Sequence, residues 1–464
     1  MESKFLNERI DIAKELIDKL SSEYEYVSIF GRHARGKRIF VESKITSIGE
    51  STSLSDTEAG FVIKVYNNNH YSEYSCDDIK GLDLKRLHQA LKVNTKDIKT
   101  IDLKKLEDEV HVEDFNRYDE GIMDDKTIVD KLKYYVDYLS NKDSRIVNAF
   151  AGYINRIQSS FFITKNKCLS QTYPWNNVMV QVVSADDKGM RDTFKTENEK
   201  DTALAFEKMD KRLDEIGDLV LKMLDSKPVE PGVYDIITDP SITGLIAHEA
   251  FGHGVEMDMF VKNRAKAKDF IGKQVASKLV SMRDGAGGVL SAASYFFDDD
   301  GVMAHDTTII KDGILQTGIS DVLTALELNM PATGNSRRES TRNKAYTRMT
   351  NTFFEKGKDK LEDMIKSIKH GYYLCDTNNG MEDPKNWQIQ CTAQYGLEIV
   401  DGKFSGKIVS PVVISGDVIE LLNSITMVSD EFVITGCGMC GKGHKEWVYV
   451  SDGGPHLKAR AKLG

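Results

Sequence analysis

Proline is scarce, at 8 in 464 residues, which excludes a collagen-like chain and any long proline-rich linker. Cysteine is scarcer still for this length: the 6 present are too few for a disulfide framework and suit a reducing compartment. No run approaches the ~20 apolar residues that a membrane span needs. An excess of basic charge is also missing. Lys+Arg 62 against Asp+Glu 72 leaves a net charge of -10, which argues against nucleic-acid phosphate or an anionic membrane surface as a partner. There is no internal repeat, low-complexity tract or coiled coil.

What is there is a globular composition, 40% apolar and 29% charged, in a chain too long for one ordinary core. The first 20 residues place Leu6, Ile10, Ala13, Ile17 and Leu20 at three-to-four spacing among charges, which predicts a helix rather than an export signal. A cytoplasmic protein is the expectation. Strands are expected at 24–30, 38–46 and 60–66, with 31–36 and 67–69 as turns. Helices are expected at 77–91 and 125–139, with the charged 94–119 stretch as an exposed connector. Alternation from 144 to 193 predicts antiparallel strands. A helix over 197–224, stopped by Ser226-Lys-Pro228, marks a boundary. The fold class is therefore α+β: an N-terminal helix-and-sheet domain, 1–226, then a β-rich C-terminal domain, 227–464. Helices in the second domain are expected only at 242–255, 360–369 and 274–281.

The sharpest local feature is His248-Glu-Ala-Phe-Gly-His253. Two His at i and i+4 lie ~40° apart on an α-helix and share one metal, with the intervening Glu beside the reacting water. Here the spacing is i and i+5, which puts the rings ~140° apart on a regular helix. A π-type bulge, permitted by Gly252 and Gly254, is needed to bring them to one face. Two unrelated surface histidines are the plainer alternative. A catalytic zinc takes a third protein ligand, and Gly436-Cys-Gly-Met-Cys-Gly-Lys-Gly-His444 offers Cys437, Cys440 and His444 in a flexible loop. Cys437 and Cys440 could also be a redox pair or half of a structural zinc knuckle, although no second pair stands at close spacing to complete a knuckle.

These segments resemble the TldD/PmbA metallopeptidases, also called modulators of DNA gyrase, and most closely their metal-bearing TldD-type subunit. Beyond the HExxxH segment, the resemblance rests on Asp299-Asp-Gly-Val302, Ile310-Lys-Asp-Gly-Ile-Leu315, Thr333-Gly-Asn-Ser-Arg-Arg-Glu-Ser340, Arg348-Met-Thr-Asn351, Ile425-Thr-Met-Val428 and Cys440-Gly-Lys442. The motifs keep the family's order and cover about 230–464. After Lys442 the family usually runs Glu-Gly-Gln, whereas this chain has Gly443-His-Lys-Glu446. The resemblance implies that His248, His253 and Cys440 bind Zn2+, that Glu249 is the general base or acid, and that Cys437 is a bystander or alternative ligand. It implies a cytosolic zinc-dependent peptidase acting on unfolded peptides through a Glu-assisted, metal-bound water. It also implies a homodimer or a heterodimer with a TldE/PmbA-type sister subunit. A non-catalytic partner or scaffold subunit of such a dimer is the alternative, against which the full set of ligand residues speaks.

Arg337, Arg338 and Arg348 have two readings: holding a substrate carboxylate or carbonyl, or pairing with the acidic residues 298–300 and Glu339. Tyr346 is either an oxyanion donor or packing.

Overall fold

The computed structural model describes residues 1–43, 45–50, 57–68, 70–93, 96–97, 111–116, 123–442 and 446–464, without the side chains of 93, 96–97 and 435–437. Most of the expected 94–119 connector lies outside these residues. The chain is a mixture of helix and strand with a β-rich C-terminal region.

Among the described residues, strands from the first 200 positions form a nine-stranded sheet. Its centre is three very long strands, Tyr26–Glu42, Ile146–Ile163 and Lys167–Asp186. They pair antiparallel from Ile29↔Ile163 to Glu42↔Phe150 and from Ile163↔Cys168 to Ile146↔Ser184. At ~3.3 Å per residue such strands outrun a single helical layer, so two separate cores form along them. The amphipathic helix Ile10–Leu20 and the helix Leu84–Val93 cover one end, over Ile29, Phe61, Ile63 and Phe161. The helices Asp125–Ser140, Thr202–Asp210 and Leu213–Leu224 cover the other, over Ile39, Val41, Tyr153 and Val180.

From Gly232 onward two further sheets enclose one large core. In the first, the strands Gly232–Thr238, His370–Asp383, Gln388–Val400, Val412–Asp417 and Leu457–Leu463 pair in that order, and the last pairs back on the first, closing a ring. In the second, the order is Ile314–Leu315, Asp306–Lys311, Met282–Gly285, Asn351–Phe354, Val448–Gly454 and Val433–Cys440. Between the sheets runs the short helix Pro240–Ile246 with its continuation, buried from Ile242 to Ala247. Close approach there requires glycine: a Cβ on Gly244 would lie 2.3 Å from the Gly453 amide nitrogen.

Several local expectations are corrected. The segment 31–36 is not a turn but the middle of the Tyr26–Glu42 strand, because pairing on both flanks satisfies its backbone despite Gly31 and Gly36. The region 197–224 is not one helix. A strand runs to Glu199, and two helices follow, separated at 211–212. The first seven residues of 77–91 are not helical, and no helix forms over 274–281, where Gln274 bridges to Ile314 and Val275 bonds Gly313.

Among the described residues, four ion pairs cross from the first sheet to the C-terminal region: Arg32 to Asp299 at 2.6 Å, Lys64 to Asp300 at 2.5 Å, Arg338 to Glu73 at 2.5 Å and Lys195 to Asp376 at 2.6 Å. Each basic side chain in them is almost wholly buried, so removing one partner strands a charge.

Gly244→Ala tests the packing of the buried helix. Its methyl group meets backbone, which cannot rotate away, so a loss of about 1–3 kcal/mol is expected, read as a lower melting temperature in a thermal scan.

Candidate metal centre

The strand Gly232–Thr238 delivers the chain to Asp239, whose Oδ1 caps the helix by accepting the Ile242 N–H at 2.8 Å. Pro240 follows at the first helical position. Asp239 Oδ2 accepts the Asp376 N–H at 2.9 Å, and Ser241 Oγ accepts the Thr377 N–H at 3.0 Å. These bonds tie the helix start to a left-handed bend at Asp376 (φ 57) in the neighbouring strand. Lys195, from the first sheet, holds the same Asp376 carboxylate through both oxygens at 2.6 and 2.7 Å. Burial, aided by the Asp376 charge, pushes the Asp239 carboxyl up to about 6.

After Ile246 the helix changes type. Residues Ala247–Gly252 are π-helical, and the His253 N–H bonds the His248 carbonyl five residues back. A short 3-10 turn over His253–Val255 ends the element. The wider turn sets the two imidazoles on one side, with ring centroids 5.2 Å apart and planes at 85°. Bulk is excluded where the turn widens: a Cβ on Gly252 would lie 2.1 Å from Met349 Sδ, and one on Gly254 would lie 2.8 Å from Glu382 Oε1.

Cys440, at the end of the Val433–Cys440 strand, completes the group. Its Sγ stands 3.2 Å from His248 Nε2 and 3.3 Å from His253 Nε2. One ligand atom from each of the three residues lies within 4.8 Å of the other two. Burial alone would raise the Cys440 thiol, but His253 and His248 hold it well below the ordinary thiol range, as a thiolate. Burial lowers the His248 imidazolium, yet the thiolate opposite more than offsets it and brings it to about 8. His253 is raised in the same way, with Glu256 adding to the effect.

The donor set fits a zinc ion. A soft thiolate and two imidazoles converge from different directions with separations near those of ligand atoms around one tetrahedral ion, roughly 3.5 Å at Zn–S ~2.3 Å and Zn–N ~2.0–2.1 Å. The distal nitrogens agree. His253 Nδ1 faces Glu256 Oε2 at 3.3 Å, which places its proton on Nδ1 and leaves Nε2 free to ligate. His248 Nδ1 is buried without a hydrogen-bond partner among the described residues.

A largely buried ionic network surrounds the triad. Arg348, 0% exposed, donates from Nε to Glu256 Oε1 at 3.0 Å and from Nη2 to Cys440 Sγ at 2.9 Å and the Cys440 carbonyl at 3.1 Å. Lys442 pairs with Glu256 at 3.1 Å and with Asp258 at 2.8 Å. Burial would raise the Glu256 carboxyl, but Lys442 and Arg348 hold it well below the usual range. Glu249 follows His248 and is half-buried. Gly380 of the His370–Asp383 strand passes so close that a Cβ there would lie 2.4 Å from Glu249 Cγ. Two more carboxyls border the site. Burial, against some help from His253, pushes Glu382 well above the carboxylate range, and burial pushes Asp452 up to about 7.

The structure thus brings His248, His253 and Cys440 together, with Glu249 alongside. The side chain of Cys437, and His444 entirely, lie outside the described residues. The expected pairing of the Arg337, Arg338 and Arg348 side chains with residues 298–300 and Glu339 is corrected. Arg348 faces Glu256 and the thiolate, Arg338 faces Glu73, and Arg337 donates to the Met349 carbonyl at 2.7 Å. The acidic residues 298–300 serve other partners: Asp299 takes Arg32 and Asp300 takes Lys64. Glu339 accepts the Glu446 N–H at 2.9 Å. Tyr346 lies beneath the ammonium groups of Lys262 and Lys344. Lys442 ends the Cys440-Gly-Lys442 segment with no role marked by its neighbours, and Glu256, Glu382 and Asp452 carried no signal in the sequence.

A strand-delivered helix that turns π-helical between two imidazoles, facing a thiolate, gathers three side chains that could hold one metal ion in a single domain. Residues 231–461 match the PmbA/TldA metallopeptidase C-terminal domain, and through it the chain belongs to the TldD/PmbA metallopeptidase family. It is 32% identical over 244 residues to a metalloprotease of Methanothermobacter thermautotrophicus, covering 53% of each chain. It is 31% identical over 243 residues to a zinc metalloprotease TldD homolog of Saccharolobus solfataricus, covering 52% of this chain and 53% of that one. The match thus spans about half the length of these curated relatives. The fold is that of TldE from Thermococcus kodakarensis, with a TM-score of 0.72 at 18% identity over 97% of this chain and 99% of that one.

Glu256→Gln is expected to weaken zinc affinity by roughly 10–100-fold, the usual cost of losing a carboxylate behind a ligating histidine, measured by chelator competition. Asp239 supplies a pH signature. Its raised folded value means that its contribution to stability is complete below about pH 4 and is lost as pH rises through about 6. Asp239→Asn is therefore expected to be most destabilising, relative to wild type, near pH 4, with the difference shrinking by pH 7, as read by denaturant unfolding at the two pH values.

Proposed function

We propose that this chain is a zinc-dependent peptidase that hydrolyses unfolded peptides in the cytosol. The observation that carries this reading is the convergence of His248, His253 and Cys440 ligand atoms within 4.8 Å, directly beside Glu249. When bound, zinc supplies Lewis-acid polarisation of a scissile carbonyl and acidifies water at neutral pH.

The chain's own residues divide the remaining work. Cys440 binds as a thiolate because two imidazoles and the Arg348 guanidinium face its sulfur. Glu256 orients His253 through Nδ1, and Arg348 and Lys442 keep that carboxylate ionised. Glu249 accepts the proton of the attacking water on its carboxylate and returns it to the leaving amine. An extended peptide suits the site, since backbone pairing tolerates many sequences and the His370–Asp383 strand runs past Glu249 at Gly380.

The same reading takes 1–226 and 227–464 as two domains and a homodimer, or a heterodimer with a TldE/PmbA-type sister subunit, as the working assembly. The shared fold with a TldE supports it. For the compartment, Cys76, Cys168, Cys375, Cys391 and Cys440 form no disulfide among the described residues. No helix among the described residues is long and apolar enough to cross a membrane.

Metal analysis and peptide cleavage on wild type, Glu249→Gln and Cys440→Ala test the assignment together. About one zinc per chain is expected in wild type. Glu249→Gln should keep the metal and lose cleavage by at least about 100-fold, and Cys440→Ala should lose both. Metal that survives replacement of both His248 and His253 would overturn the reading.

A further inference from the structure

One cavity has none of the three ligand residues in its lining and has a charge that the metal centre does not explain. It has a volume of about 30 Å³ and lies where the long strands of the first sheet meet the Val448–Gly454 strand. Four guanidinium groups reach its wall: Arg32, Arg156, Arg337 and Arg338. Two are neutralised, Arg32 by Glu58 and Asp299 and Arg338 by Glu73. The other two meet no carboxylate among the described residues. Arg156 donates from Nη2 to the Ala292 carbonyl at 3.2 Å and stacks 3.9 Å from the Tyr449 ring centroid. Arg337 donates from Nη1 to the Met349 carbonyl and lies 5.7 Å from the Tyr295 ring centroid. Asp299, the acid on the wall, already receives Arg32 and the Arg338 N–H on its Oδ2.

Two guanidinium planes with unspent donors, framed by aromatic rings, recognise a planar anion that accepts bidentately. The position connects the pocket to the metal centre in two ways. Val448 and Tyr449, on its wall, pair in register with Cys440 and Met439. Met349, which receives Arg337, packs against Gly252 between the two histidines, and its neighbour Arg348 holds the Cys440 sulfur.

We infer that Arg156 and Arg337 form a carboxylate-binding subsite, which holds the C-terminal carboxylate or an acidic side chain of a peptide bound across the metal centre. This rests on the peptidase reading above, and it makes the enzyme selective for peptides by charge at a set distance from the cleaved bond.

The test uses the full-length, zinc-loaded Glu249→Gln protein and three forms of one fluorescent peptide: free acid, C-terminal amide, and the amide with a penultimate Glu. The free acid or the Glu-bearing amide is expected to bind at least roughly tenfold more tightly than the plain amide, as charge-assisted hydrogen bonds imply. Tight binding of the free acid alone identifies the chain terminus as the source of the carboxylate, and recovery by the Glu-bearing amide identifies the side chain. Arg337→Met or Arg156→Gln should erase the preference by weakening only the carboxylate form, with zinc content unchanged, and Arg337→Lys should keep part of it. Equal affinity for all three peptides, no binding of any, or equal weakening of acid and amide by Arg337→Met overturns the inference. Cleavage of peptides by wild type without a carboxylate preference removes the subsite and leaves the peptidase. A preference without cleavage does the reverse.

Discussion

Everything around the candidate centre answers to one constraint: a thiolate and two imidazoles are brought together with most of their surface withdrawn from water. Cys440 Sγ lies 3.2 and 3.3 Å from two ring nitrogens, and such a cluster is costly to bury unless its charges are balanced. The balance is built in shells. Arg348 touches the sulfur and Glu256, Glu256 touches His253, and Lys442 closes the set against Glu256 and Asp258. Each group makes sense only with the next, which is why Arg348 is wholly buried although it carries a full charge.

The backbone solves the accompanying steric problem. A regular helix would turn one histidine away from the sulfur, so the chain spends one π-helical turn to realign them. That turn is wedged between two sheets, and the contact points are kept free of side-chain bulk at Gly244, Gly252 and Gly380. The start of the helix is fixed separately, by Asp239 and Ser241 receiving the amides of the bent Asp376–Thr377 segment. Through Lys195 that bend is tied to the first sheet. The long-stranded sheet therefore does more than support its own two cores: four buried cations and anions link it to the region that carries the ligands.

Much of this was legible in the sequence. The Asp125–Ser140 helix and the antiparallel strands between Ile146 and Thr193 follow from periodicity, which depends on near neighbours. The i, i+5 spacing of His248 and His253 already implied a widened turn, because helical geometry leaves no other way to bring them to one face. The failures also have physical reasons. Gly31 and Gly36 read as a turn because their local preference is permissive, whereas flanking strands on both sides hold them extended. The 197–224 stretch read as one helix because its charges mask the change from a paired strand at Glu199 to two short helices.

By itself the sequence determined the donor types, the spacing of the two histidines, the glycines that permit close approach, and the balance of strand and helix. All of these are set by covalent order over a few residues. Tertiary structure alone decided that Arg348 would serve the thiolate rather than a substrate, that Asp299 and Asp300 would pair with Arg32 and Lys64 from the distant first sheet, and that Arg156 and Arg337 would share a cavity without a matching acid. A charge carries no local mark of its partner. Attraction acts through space, and which groups meet is settled only when sheets formed more than a hundred residues apart pack against one another.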